Sequence, residues 1–186
     1  LEVRGRTMST PRIIAITGTP GCGKTTLCEG LKEAGHTIEA VVELARKFDC
    51  LGEHDSEDGA APVDVHKLAD LWQDDSDSTV FVDGHLSHLL DVDAVVVLRC
   101  QPDVLKARLE QRGYTEAKVR SNVEWEMLGG TWSEMLEFEL ETPVLEIDAS
   151  DVEGPALSTE VLDWIEAGYP CDGLEASASE AIDWLA

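Results

Sequence analysis

The sequence predicts a three-layer α/β fold, with helices on both faces of a five-stranded parallel sheet. Three observations predict it. Short apolar runs alternate with helix-like stretches along most of the chain. Two of these runs, Thr79–Asp83 and Ala94–Cys100, are dense in valine, as strands buried on both faces are. The first run, Arg12–Thr17, passes through a glycine-rich turn straight into a helix, which is how a right-handed crossover begins. At 186 residues and 43% hydrophobic composition, the chain is long enough for one domain with a real core.

The elements follow in order. Strands are expected at Arg12–Thr17, Thr37–Val41, Thr79–Asp83, Ala94–Cys100 and Val144–Asp148. Helices are expected at 24–34, 42–48, 64–73, 102–112, 115–128 and 157–167. The polar, acidic stretch Cys50–Val63 reads as a mobile loop. Gly129-Gly130 should interrupt a helix that otherwise runs from 115 to about 140. Beyond Tyr169 the chain is linker-like, with a short helix expected at 177–185. Residues 1–7 lack an apolar signal core, and Met8 reads as a natural start, so the predicted domain spans 8–168 with a tail at 169–186. No run of 18 apolar residues marks a transmembrane helix, so no membrane partner is expected.

Gly18-Thr19-Pro20-Gly21-Cys22-Gly23-Lys24-Thr25-Thr26 carries the G-x-x-x-x-G-K-[ST] phosphate-binding loop in its required setting of strand, loop and helix. A triphosphate needs many donors at once. Backbone N–H groups of residues 20–25 can form an anion nest, and the helix that follows aims its positive end at the same place. Gly18, Gly21 and Gly23 bring the backbone close, with Cys22 a tolerated small side chain between the last two. Lys24 reaches the β- and γ-phosphates, Thr25 offers a hydroxyl to Mg²⁺, and Thr26 is placed for the α-phosphate. The fold class is therefore that of a P-loop nucleoside triphosphatase, with a nucleoside triphosphate and Mg²⁺ as its ligands.

A second constellation is Val82-Asp83-Gly84-His85. Asp83 ends a buried strand, where a second acid assists Mg²⁺ through water. His85 is suited to orient an attacking water. The plainer reading makes Asp83 a strand-end cap and His85 an exposed side chain. A third feature is Arg108 and Arg112 beside Gly113, where guanidinium forks could neutralise charge on a transferring phosphoryl group. The plainer reading is a surface charge ladder with Glu110 and Glu116. Arg99 is a weaker candidate of the same kind.

Charge is lopsided, with 14 basic and 38 acidic residues and a net charge of −24. Such a surface disfavours nucleic-acid binding through a basic patch. Spread along the whole chain, the acids suit a protein of salt-accumulating cells, where ionic strength screens self-repulsion. The five cysteines are scattered and form no C-x-x-C pair, which fits a reducing cytoplasm and no zinc site.

The phosphate loop, then Val42-Glu43-Leu44-Ala45-Arg46, Val82-Asp83-Gly84-His85-Leu86, Val97-Leu98-Arg99-Cys100 and Arg108…Arg112-Gly113-Tyr114…Lys118…Asn122…Glu124 resemble, in order and spacing, the atypical adenylate kinases of archaea and eukaryotic nuclei, called adenylate kinase isoenzyme 6 in animals. The resemblance covers roughly 12–126 and resumes at Glu146-Ile147-Asp148. It implies an adenylate-kinase-like fold with a monophosphate lobe at about 36–63 and a short lid at about 111–122. It implies transfer of the γ-phosphate of ATP to AMP, with broad monophosphate tolerance, and ATP hydrolysis. It also implies a part in maturation of the small ribosomal subunit through transient binding of ribosomal protein uS11 and the pre-30S particle. By position, Lys24, Asp83, His85 and Arg112 would be catalytic, Arg46 would grip the acceptor phosphate, and Thr25 and Asp83 would serve Mg²⁺. The region between Asp49 and Val63 departs from what a monophosphate site wants, being acidic and poor in basic residues. Two rival functions remain open: another small-molecule kinase on the same fold, and an ATP-driven ribosome assembly factor with vestigial kinase activity.

Overall fold

The computed structural model describes residues 13–52, 62–73 and 78–186. Five strands form one all-parallel sheet: β1 Ile13–Thr17, β2 Thr37–Ala40, β3 Val80–Asp83, β4 Ala94–Arg99 and β5 Val144–Asp148, in the order β2-β3-β1-β4-β5. The central strands β1 and β4 are covered on both faces, and all six side chains of β4 are buried. That is why their sequences are unbroken apolar runs. Edge strand β2 is shorter than expected and only half-buried.

The helices are α1 Lys24–Glu33, α2 Val41–Lys47, α3 Val65–Leu71, α4 Pro102–Gln111, α5 Glu116–Met127, α6 Gly130–Glu137, α7 Gly154–Glu166 and α8 Leu174–Ser179. Leu27 and Leu31 of α1, Leu105 and Leu109 of α4, Val119 of α5 and Val161 of α7 build one core layer. Leu44 of α2, Leu68 of α3 and Met135 of α6 build the other. The predicted three layers are therefore present.

Order in the sheet decides where a ligand can sit. From β1 the chain moves out to β2, returns to β3, then crosses to β4 on the opposite side of β1. Such a switch point leaves a crevice at the carboxyl ends of the strands. The Gly18–Thr26 loop lies there.

The break at Gly129-Gly130 is real. Gly129 adopts φ 62°, and α6 restarts at Gly130. A side chain at Gly130 would collide with the Trp125 ring, so this glycine gives the indole its seat. Most of the acidic stretch after Cys50 lies outside the described residues. Its ends are joined by an antiparallel bridge between Leu51 and Val63.

The tail differs from its sequence reading. Its helix is Leu174–Ser179, earlier than the expected 177–185. The last turn folds back, with Ile182 N donating to Glu146 Oε2 at 2.8 Å and Trp184 Nε1 to Glu126 Oε1 at 3.1 Å. Polar composition suggested a linker, but the Ile182 backbone and the Trp184 indole N–H anchor it to the Arg99, Glu126 and Glu146 cluster.

Candidate active site

Gly18 through Thr26 wrap the carboxyl end of β1. Gly18 has φ 130°, and a Cβ there would strike the Leu98 carbonyl of β4, so only glycine lets the loop pass. Cys22 N donates to Thr19 O at 3.1 Å and closes the turn. Gly23, with φ 105°, caps α1. The amides at the start of α1 have no partner within the helix and direct a partial positive charge into the crevice. Lys24 Nζ donates to Gly18 O at 2.7 Å and Thr19 O at 3.1 Å. Burial lowers its pKa, while Cys22 and Asp83 oppose the shift.

Two cavities flank the loop. The larger, of about 690 Å³, is bordered by Lys24, Thr25, Asp83, His85, Arg112 and Lys118 among others. The smaller, of about 180 Å³, is bordered by Thr26, Arg108, Arg112, Ala149 and Val152. Gly21, Gly23 and Arg112 border both. Together they offer a continuous path over the loop, and the larger is of the size that holds small-molecule ligands.

Asp83 stands opposite Ile16 in the sheet register, one strand from the loop. Burial raises its carboxyl pKa, against the pull of Lys24 and Lys32. His85 is exposed at the cavity wall, where partial desolvation and the Lys24 ammonium lower its pKa. Arg112 caps α4 and is exposed. Across the following turn, Lys118 Nζ lies 4.8 Å from the Tyr114 ring centroid. The structure thus brings Gly21, Gly23, Lys24, Thr25, Asp83, His85 and Arg112 to one cavity, and Thr26 to its neighbour. Cys22 turns its thiol inward, where its hydrogen bond with Cys100 and its burial raise the pKa well above the ordinary value. Arg46 is not brought to the cavity. It is exposed on α2 and pairs with Glu43 at 2.6 Å.

Two other arginines take structural places. Arg108 donates to Gly21 O, Ala149 O and Ser150 O at 3.3, 3.1 and 2.6 Å, tying the loop to the end of β5. Neither a surface ladder nor a free phosphate ligand describes it. Arg99 is buried at 2% exposure, with Nε 2.7 Å from Glu126 Oε1 and Nη1 2.7 Å from Glu146 Oε1. It therefore faces no phosphate.

Glu126 is the residue that sequence reasoning missed. Its Oε2 accepts from the Thr19 hydroxyl at 2.5 Å, inside the phosphate loop. Its Oε1 accepts from Arg99 Nε, Cys100 N and Trp184 Nε1. Two signals were available: a lone arginine ending an apolar strand, and an acid beside two apolar residues of α5. Complementary charges in otherwise apolar settings suggest a buried pair. His88 was missed as well. Its ring is fully buried, with Nδ1 2.8 Å from Thr17 Oγ1, and burial with nearby His85 lowers its pKa to about 4.

Comparison with known proteins agrees with this geometry. A family model described as an AAA domain matches residues 14–129, from β1 through the Gly129 break. A protein of Archaeoglobus fulgidus named "Putative adenylate kinase" is 41% identical over 175 residues, covering 93% of this chain and 92% of its own length. The chain belongs to this archaeal family. A second member, from Methanocaldococcus jannaschii and of the same name, is 35% identical over 92% of this chain and 96% of its own. Among solved structures, shikimate kinase from Acinetobacter baumannii superposes with a TM-score of 0.56 at 14% identity, covering 86% of this chain and 94% of its own. That likeness is one of fold: the P-loop kinase arrangement of a parallel sheet with the loop after β1. Both relatives are spanned almost end to end. Among the described residues, no helix is long and apolar enough to cross a membrane.

Proposed function

We propose that this chain is a nucleoside monophosphate kinase, transferring the γ-phosphate of ATP to AMP or a similar monophosphate, with hydrolysis of ATP as a second outcome. One observation carries the reading. Lys24, Thr25, Asp83, His85 and Arg112 border a single cavity that extends past the phosphate loop to Val41 and Val42 of α2, leaving room for an acceptor beside a triphosphate. The family names point the same way.

ATP lies across the loop, with its nucleoside in the smaller cavity and its phosphates against the amides that open α1. The site suits Mg²⁺, because the Thr25 hydroxyl and Asp83 carboxylate are oxygen donors of the kind a hard cation takes. When bound, the ion neutralises phosphate charge. The chain's own residues do the rest by positioning. Lys24 leaves its carbonyl partners for the β- and γ-oxygens. Arg112, which borders both cavities, spans the two ends of ATP. His85 is uncharged at neutral pH and so is free to accept a proton from an attacking group. Exclusion of water by the 111–122 lid decides between transfer and hydrolysis.

A coupled assay in high salt, with ATP alone and with each monophosphate, tests the reading. AMP-dependent ADP formation is the expected result, and its absence would favour a kinase for another small molecule. His85→Ala should reduce hydrolysis more than transfer, and an equal loss would remove the water-orienting role.

The ribosomal reading has its own support. A net charge of −24 would steer a basic ribosomal protein towards this surface. Arg46, outside the cavity and paired with Glu43, also weakens the case for a monophosphate grip in the form described. Binding of uS11 and of pre-30S particles, as an ATP-driven assembly factor of a halophilic cell's cytoplasm, is tested by retention of uS11 with and without ATP. The same charge predicts loss of structure below molar salt, which thermal melts across salt concentrations would show.

A further inference from the structure

The larger cavity contains two features that a phosphate site does not need. The first is an open aromatic wall. Tyr114 and Trp125 are the large aromatic side chains that border the cavity among the described residues. Tyr114 is covered by the Lys118 ammonium. Trp125 is 42% exposed, although its indole lies against the Gly130 backbone, which fixes its place. An exposed tryptophan held by a glycine break in a helix is a poor core filler and a good stacking surface.

The second feature is an acid. Glu134 also borders the cavity, with a quarter of its side chain exposed. Burial, with Glu137 nearby, raises its pKa. Its Oε2 lies 3.2 Å from Nε2 of His88, a fully buried nitrogen that makes no hydrogen bond in this arrangement. A carboxyl group repels phosphate, so its use is at the other end of a nucleotide. With one oxygen turned to His88, the other is left to accept from a single donor in the cavity.

Stacking plus one acceptor is a minimal way to read a base. We infer that Trp125 and Glu134 form the nucleobase subsite for the phosphate acceptor, and that Glu134 selects bases bearing an exocyclic amine over those bearing a carbonyl at the same position. This rests on the kinase reading above. Trp125 stacks on any base, because every base has a π-face. Glu134 accepts from an amine such as that of adenine or cytosine, and faces a second acceptor when the base carries oxygen there. His88 stands behind Glu134 and limits its rotation. The residue thus determines specificity and takes no part in phosphoryl transfer.

AMP and inosine monophosphate test this, since the amine of one is a carbonyl oxygen in the other. Purine riboside monophosphate, which lacks the amine but keeps a bare N1 as in AMP, separates the exocyclic group from the hydrogen that inosine also gains at N1. The wild-type chain should prefer AMP by roughly 10-fold or more in kcat/KM, as expected when a buried acceptor is left unpaired. Glu134→Gln keeps the shape and can present either an oxygen or an N–H group, so the ratio should fall to about 1. Trp125→Ala should raise KM for both monophosphates together by about 10-fold, with Trp125→Phe restoring most of the loss. Titration calorimetry of both monophosphates gives the same comparison without turnover. Turnover with an unchanged AMP preference in a folded Glu134→Gln protein would overturn the inference alone. So would a Trp125→Ala protein whose KM values do not move. Absence of turnover with every monophosphate would end the kinase reading itself.

Discussion

Glu126 and Glu134 lie on consecutive helices either side of the Gly129-Gly130 break, and their surroundings differ sharply. Glu126 is 2% exposed and accepts from Arg99, Cys100, Trp184 and Thr19, so both oxygens are engaged. Glu134 opens onto the cavity and faces a histidine nitrogen with which it makes no hydrogen bond. Full satisfaction marks a group whose work is holding structure, because every donor it meets has already been used. An incompletely satisfied acid beside a cavity keeps capacity for a ligand. The difference separates the frame behind the phosphate loop from the wall in front of it.

The largest expected effect lies on the cavity side. Lys24→Ala should cut transfer and hydrolysis by about 1,000-fold, as loss of a charge on the transferring group does. Thermal melting should change little, because Lys24 holds only loop carbonyls. A large loss of stability would place Lys24 with the frame instead.

On the frame side, Glu126→Ala should destabilise the fold by about 3–5 kcal/mol, leaving Arg99 buried without its main partner. Denaturant unfolding measures it, with Trp184 as a local fluorescent reporter. A cost near zero would erase the contrast with Glu134.

His88 gives a pH test of the same boundary. The unfolded chain takes up its proton near pH 6.5, but the folded ring holds out to about 4. Protons therefore favour unfolding. Its contribution is complete above pH 6.5 and is lost as pH falls towards 4, amounting to about 3 kcal/mol. Unfolding curves at pH 7 and 4.5 should show this slope, and His88→Asn should flatten it.

Glu134→Gln should alter stability by less than about 1 kcal/mol, in contrast to Glu126→Ala, since its carboxyl is partly solvated. Calorimetry would settle that difference. Smallest of all is Arg46→Ala, which removes an exposed pair with Glu43 and should leave the melting temperature unchanged. A rise in KM for the acceptor alone would show that α2 brings Arg46 to the cavity when substrate binds.

Lys24, Thr25, Asp83 and His85 could be read from sequence because their places depend on chain neighbours: a strand end, a tight turn, a helix start. The same holds for the five strands and for the break at Gly129-Gly130, where local composition sets backbone conformation. Glu126 and Thr19 are 107 positions apart, and nothing in either segment names the other. Arg99 looked like a phosphate ligand for the same reason, since its two carboxylate partners lie on α5 and β5. The tail likewise read as a linker until Glu126 and Glu146 appeared as the acceptors that Trp184 and Ile182 reach.

By itself, then, the sequence determined the parallel sheet, the phosphate loop and the place of Asp83 and His85 at the end of β3, because apolar periodicity and turn chemistry act over a few residues. The tertiary structure alone decided which charges are buried together, that the tail closes over Arg99, and that Trp125 and Glu134 share a cavity. Those outcomes depend on how helices from distant parts of the chain pack on the two faces of the sheet, and local propensity carries no record of that packing.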